Sequence, residues 1–258
     1  MFAQDFNELG YLSSHRALNH DLPTILMVHG AGLNHAQWNE QLTGLRDHAN
    51  MIAVDLPGHA MSAHHGGDQS IAHYAHTLSE LAEELGSEQL ILAGHSMGGA
   101  VCLEFAMQYP DQLAGLVLVN TGARLKVQST FLEQIHDDYP LFVRTLAQYA
   151  LNDTVDQDIS NQFIELLMQS ERSAVFNDFS SCNSFDRLDD IGEIVCPALV
   201  ISSDQDKMTP PKYGEFLAEQ LKQSDFALIE GAAHLSPMEQ PEAVNGAIIS
   251  FLNRLNGH

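Results

Sequence analysis

The hexapeptide Gly94-His95-Ser96-Met97-Gly98-Gly99 sets one hydroxyl among glycines, behind the apolar run 90–93 and ahead of a helix-like stretch that Pro110 ends. A serine on so sharp a strand-to-helix turn stands exposed on a strained backbone, and Gly94 and Gly98 lack the β-carbons that would collide there. A hydroxyl is a weak nucleophile until a neighbouring base takes its proton, and that base needs an acid to fix its tautomer. Candidates for both follow later strand-like runs. Residues 198–203 run into Asp204 and Asp206, and residues 226–230 run into a loop carrying His234. In chain order, Ser96, Asp206 and His234 would be nucleophile, acid and base.

His234 precedes Ser236-Pro237-Met238-Glu239, a capping-box pattern with proline at the first helical position, which would anchor the loop behind the base. Asp206 is chosen as the acid over Asp204, which could still lie in the strand or cap the turn. The end of the strand at 115–120 offers Asn120-Thr121-Gly122 and no acid. Negative charge developing on a carbonyl oxygen needs two amides: Met97, just after the nucleophile, and Ala31 in His29-Gly30-Ala31-Gly32. Gly30, Gly32, His95 and Leu235 are expected to contact substrate. Plainer readings exist for each residue: Ser96 as a helix cap, His234 as a surface loop histidine, the Gly30–Gly32 segment as a tight turn.

The elements that must position these residues alternate. Strand-like runs occur at 24–29, 51–55, 89–94, 115–120, 198–203 and 226–230. Helical patterns occur at 35–47, 70–85, 97–109, 211–223 and 237–255. This alternation predicts a mainly parallel sheet with helices on both faces, whose site lies beyond the carboxyl ends of the strands. Residues 8–16 read as an antiparallel edge strand or pair. From 123 to 188 no strand appears, and three groups have helical spacing: Phe131, Leu132 and Ile135; Leu141, Phe142, Leu146 and Tyr149; Phe163, Leu166 and Leu167. The expected organisation is a core of 1–122 and 189–258 with a helical cap at 123–188.

Composition narrows the function classes. Net charge is −23, from 34 acidic against 11 basic residues, which repels nucleic acid and anionic membrane surfaces. No apolar run approaches the roughly 18 residues of a membrane span. The N-terminus lacks the basic region and apolar stretch of a signal peptide, and the three cysteines read as reduced thiols of a cytoplasmic protein; a monomer or homodimer is expected. Cys102 falls in a buried helix, Cys182 in a loop-like region and Cys196 before Pro197, without metal or redox spacing. His59, His64, His65, His73 and His76 cluster in sequence but form no ligand motif, so neither metal nor cofactor is expected.

Taken together, the segments His29–Gly32, 55–62, 94–99, 202–210 and 231–242 resemble the α/β-hydrolase superfamily over nearly the whole chain, and most closely its capped carboxylesterase and 3-oxoadipate enol-lactonase branch. Two positions depart from the family pattern. Ala60 replaces the second glycine of D-x-x-G-x-G-x-S, and Ser203 stands where the acid-bearing strand often ends in glycine. The resemblance implies a serine hydrolase of carboxylic esters, acting through an acyl-enzyme on Ser96. Phe131, Leu132, Ile135, Leu141, Phe142, Phe163 and Leu167 as pocket lining and the net charge of −23 point to small uncharged, apolar acyl substrates. Enol-lactone hydrolysis, C–C bond hydrolysis, perhydrolysis and acyl transfer would use the same three residues. C–C hydrolases often carry tryptophan beside the histidine, whereas here the neighbour is Leu235 and the single tryptophan is Trp38. A receptor that binds a small molecule without turnover is the reading from a different class. If a substrate carboxylate must be held, Arg124 and Arg144 are the nearest cations by sequence, Arg124 reading more readily as a surface ion-pair residue.

Overall fold

The computed structural model describes residues 1–64, 68–255 and 257. His65, one of the clustered histidines, lies outside the described residues. An eight-stranded sheet forms the centre, with strands β1 (Phe2–Phe6), β2 (Leu9–Ser13), β3 (Thr24–Val28), β4 (Asn50–Val54), β5 (Leu90–His95), β6 (Gly115–Val119), β7 (Ala198–Ser203) and β8 (Ser224–Ile229) in the order β1-β2-β4-β3-β5-β6-β7-β8. β1 and β2 form an antiparallel hairpin at one edge, and every pairing from β4 to β8 is parallel. The edge reading of 8–16 was therefore sound for β2, whereas β1 begins further toward the N-terminus than expected.

Strands β3 to β7 are buried along their entire length, which is why they read as continuous apolar runs rather than alternating ones. Their side chains nevertheless alternate between two cores. Leu26 and Val28 face Tyr74 and Leu78 of α2 (Ile71–Leu85) and Val101 and Phe105 of α3 (Met97–Gln108). Ile25 and Met27 face Trp38, Leu42 of α1 (Asn39–Gly44), and Ile248 and Phe251 of α10 (Pro241–Leu255). Helix α2 starts where the Ser70 hydroxyl accepts the His73 amide at 3.2 Å and stops at Gly86, whose φ of +57° suits a residue without a β-carbon.

Three helical expectations are corrected. The pattern at 35–47 begins as a 3₁₀ turn (His35–Trp38) before α1. The pattern at 237–255 breaks into α9 (Ser236–Glu239) and α10, because Pro241 drives Gln240 out of the helical region, to φ −137° and ψ 58°. Between β6 and β7 the chain forms four helices rather than three: α4 (Ser129–Asp137), α5 (Tyr139–Ala150), α6 (Gln157–Gln169) and α7 (Arg172–Ser184). Helix α7, rich in serine and asparagine, lacks the apolar spacing that marked the others, and it buries Cys182, which had read as a loop residue. Helix α8 (Pro211–Gln220) follows β7. Among the described residues no helix is long and apolar enough to cross a membrane.

Candidate active site

Ser96 sits between β5 and α3 at φ +53° and ψ −116°, a conformation outside the regions that L-residues prefer. The turn is this tight because a β-carbon on Gly94 would strike the Gly98 backbone, and one on Gly98 would strike the Val28 carbonyl. The Ser96 side chain makes no capping hydrogen bond, so the cap reading falls. Its carbonyl accepts from the Thr121 hydroxyl at 2.7 Å.

His234 lies on the loop between β8 and α9, buried, with Nδ1 2.8 Å from Asp206 Oδ2. Asp206 follows β7, and its Oδ1 accepts the amides of Met208 at 2.8 Å and Thr209 at 2.9 Å. Oδ2 also accepts from the Asn120 amide group at 2.9 Å and the Thr209 hydroxyl at 2.8 Å. Burial alone would raise the Asp206 pKa, but the His234 ring and the Thr209 donors outweigh it and hold the carboxyl at about 2. Asp204 instead points outward, and its carboxylate accepts the Gly231 amide at 2.9 Å, a turn cap. The His234 loop is held from several sides. Glu239 accepts the amides of Ala233 and Leu235, on either side of the imidazole, and that of Asn152. The His234 amide donates to the Ala150 carbonyl at the end of α5 at 2.9 Å. The expected capping box is only half made: Glu239 reaches back, but Ser236 donates to Asn120 at 2.6 Å instead of capping α9.

Ser96 and His234 line one cavity of about 640 Å³, counting the space open to solvent. Among the described residues no hydrogen bond joins the Ser96 hydroxyl to His234; such bonds often tighten only when substrate binds. Gly30, Ala31, His95 and Leu235 also line the cavity. Among the described residues, neither the Ala31 amide nor the Met97 amide donates to another protein group; Ala31 lines the cavity, and Met97 directly follows the cavity-lining Ser96. His95 Nε2–H donates to the His234 carbonyl at 2.7 Å, and burial, then the neighbouring His234 ring, lower the His95 pKa to about 3. Gly32, expected to contact substrate, does not line the cavity. At φ +71° its backbone turns toward the helices after β6, where Asp178 accepts its amide at 2.8 Å.

The expected cavity lining also changes. Of Phe131, Leu132, Ile135, Leu141, Phe142, Phe163 and Leu167, only Phe163 reaches it. Phe131, Ile135, Phe142 and Leu167 pack among themselves, and Leu141 is exposed. Leu125, Val127, Leu146, Phe179 and Met208 supply the apolar wall instead. Arg124 pairs with Asp186 at 3.7 Å on the surface, Arg144 is exposed, and the lysine in the wall is Lys126. Sequence reasoning missed Asn120, Thr209 and Asp178. Asn120 was noticed only as a position without an acid, yet it bonds Asp206, Ser203 and Ser236 at once. Among the described residues no group of three or more His, Cys, Asp or Glu is placed to hold a metal.

A family model described as the alpha/beta hydrolase family matches residues 25–247. The chain belongs to the alpha/beta hydrolase family. Within it, the chain is 26% identical to a pimeloyl-[acyl-carrier protein] methyl ester esterase of Yersinia enterocolitica, covering 90% of this chain and 94% of the relative. It is 25% identical to 3-oxoadipate enol-lactonase 2 of Acinetobacter baylyi, covering 92% and 91%. Among solved structures it is similar to a thermophilic esterase from Thermogutta terrifontis, at TM-score 0.84 and 27% identity, covering 96% and 94%. These relatives within the family are esterases and an enol-lactonase.

Proposed function

We propose that the protein cleaves small uncharged carboxylic esters through an acyl-enzyme on Ser96. The observation that carries this reading is the His234–Asp206 bond at 2.8 Å, with His234, a serine on a strained turn and the unpaired Ala31 amide opening on one cavity. In the first half-reaction His234 takes the Ser96 proton, the alkoxide oxygen bonds to the ester carbonyl carbon, and the oxyanion rests on the Ala31 and Met97 amides. His234 returns the proton to the departing alkoxide as the C–O bond breaks. Water, deprotonated by the same imidazole, then attacks the acyl-enzyme, and the carboxylic acid leaves as Ser96 regains its proton. Residues 123–188 act as a cap whose Leu146, Phe163 and Phe179 form the acyl wall. Each methylene buried there contributes about 0.8 kcal/mol, a several-fold preference per carbon until the space is filled. The three free thiols fit a reducing compartment such as the cytoplasm.

A second reading, hydrolysis of an anionic enol-lactone, is favoured by Lys126 in the cavity wall. The test has two parts. A fluorophosphonate probe should label the native protein and not Ser96→Ala; failure to label the native protein would favour the receptor reading. Rates on p-nitrophenyl acetate, butyrate and octanoate beside the enol-lactone of 3-oxoadipate should favour the neutral esters. A tenfold advantage for the lactone that Lys126→Ala abolishes would make this a lactonase.

A further inference from the structure

Among the contacts between the helices after β6 and the core, one is a buried carboxylate. Asp178, in α7, is fully buried, and its carboxylate takes three hydrogen bonds from three separate parts of the chain. Oδ2 accepts the Gly32 amide at 2.8 Å and His59 Nε2–H at 3.0 Å, and Oδ1 accepts the Tyr74 hydroxyl at 2.8 Å. His59 Nδ1–H is directed to the Pro57 carbonyl at 3.2 Å, so both ring nitrogens face acceptors and the ring is at home as an imidazolium. His29, whose ring centre is 4.9 Å from that of His59, stays neutral: burial, then His59, lower its pKa to about 4.

A buried ion pair is a poor way to stabilise a helix, because apolar residues of similar volume commonly do as well or better. What an apolar residue could not do is accept the Gly32 amide. The Gly32 carbonyl is also claimed by the same segment, accepting the Ser170 hydroxyl at 2.7 Å between α6 and α7. A β-carbon on Gly32 would press on Leu167 and Val175 at 3.1 Å. Both backbone groups of Gly32 therefore end on the helical segment, and none of that contact touches the cavity. One residue earlier stands Ala31. The peptide plane carrying its N–H is held from the core side, where the Gly30 carbonyl accepts His29 Nδ1–H at 2.9 Å and the Leu33 amide at 3.1 Å. The next plane, between Ala31 and Gly32, is held by Asp178.

We propose that Asp178 is a positioning residue: through Gly32 it sets the Ala31 amide as an oxyanion donor, so that the helices after β6 complete the hole. The inference rests on the Ser96 reading above. The alternative is that Asp178 only fastens α7 to the core.

The test compares native protein, Asp178→Asn and Val143→Ala, the last a packing change within the buried interior of the helical segment. The readouts are kcat and KM on p-nitrophenyl butyrate, the inhibition constant of an aliphatic trifluoromethyl ketone that forms a hemiketal oxyanion on the serine, and Tm. A mis-set oxyanion donor costs transition-state binding, so Asp178→Asn should lose about 10- to 100-fold in kcat with KM within about threefold. The trifluoromethyl ketone should weaken by a similar factor. Val143→Ala should lower Tm while kcat and the inhibition constant stay within about twofold. Asp178→Asn that behaves like Val143→Ala overturns the proposal. Should Asp178→Asn not fold, Tyr74→Phe decides: it removes the Oδ1 bond and loosens the carboxylate. A kcat loss of about threefold or more at unchanged KM supports the positioning role, and a smaller loss overturns it. Native protein inert to both ester and fluorophosphonate would remove the Ser96 reading and the positioning role together, whereas an active native enzyme indifferent to Asp178 removes the positioning role alone.

Discussion

Replacing Asp206 by asparagine changes one oxygen to an NH₂ in a site where every partner is a donor. Oδ1 accepts the Met208 and Thr209 amides, and Oδ2 accepts His234 Nδ1–H, the Asn120 amide group and the Thr209 hydroxyl. The carboxamide oxygen must therefore serve the two amides, whose positions the turn dictates, and the NH₂ is left facing His234 and Asn120. Donating to Nδ1 forces the imidazole into the tautomer protonated on Nε2, which has no lone pair for the Ser96 proton. The loss in kcat on p-nitrophenyl butyrate is expected at about 10⁴-fold, the size of a wrong-tautomer defect. Stability should also fall. The Asp206 carboxyl is held at about 2 against an ordinary 3.8, a difference worth about 2 kcal/mol at neutral pH. Initial rates and thermal melts on Asp206→Asn and Asp204→Asn make the comparison, with Asp204→Asn expected to retain native kcat because its carboxylate only caps a surface turn. An Asp206→Asn enzyme within tenfold of native, beside an inactive Asp204→Asn, would refute the assignment of the acid.

Ala60 holds φ +36° on the surface at the place where the resemblance calls for glycine. Ala60→Gly should relieve left-handed strain and stabilise the protein by about 0.5–1 kcal/mol after the entropy of the freer unfolded chain is subtracted; a lower Tm for the variant would contradict this. His59 gives a pH dependence of definite sign. Burial alone would lower its pKa, but the Asp178 carboxylate outweighs burial and raises it above 6.5. Its contribution is therefore present in full below 6.5 and is lost as pH rises through the folded value. Thermal melts at pH rising from 6.5 should show this loss in the native protein and its absence in Asp178→Asn; parallel curves for the two proteins would exclude it. On the acid side, the Asp206 contribution is present above 3.8 and disappears as pH falls toward about 2. Asp206→Asn should therefore show a shallower acid loss than native protein, and equal acid slopes would count against the pairing.

The fold and the central site were legible because their signals are local. A parallel strand buried on both faces is apolar throughout, as β5 and β6 are, and a tight strand-to-helix turn demands glycines around Ser96. Asp206 and His234 could be found because chain order and strand ends suffice to bring them to one edge of a parallel sheet. Helix α7 escaped for the opposite reason: its polar sequence carries little apolar periodicity, and its burial depends on the surfaces it meets. The roles of Asn120, Gly32 and Asp178 were likewise decided only in three dimensions. Asn120 bonds Asp206 across 86 residues of chain, and Asp178 bonds Gly32 across 146. No spacing rule links residues so far apart, because a short polar side chain declares its partners only when folding has removed water and left specific donors or acceptors within reach.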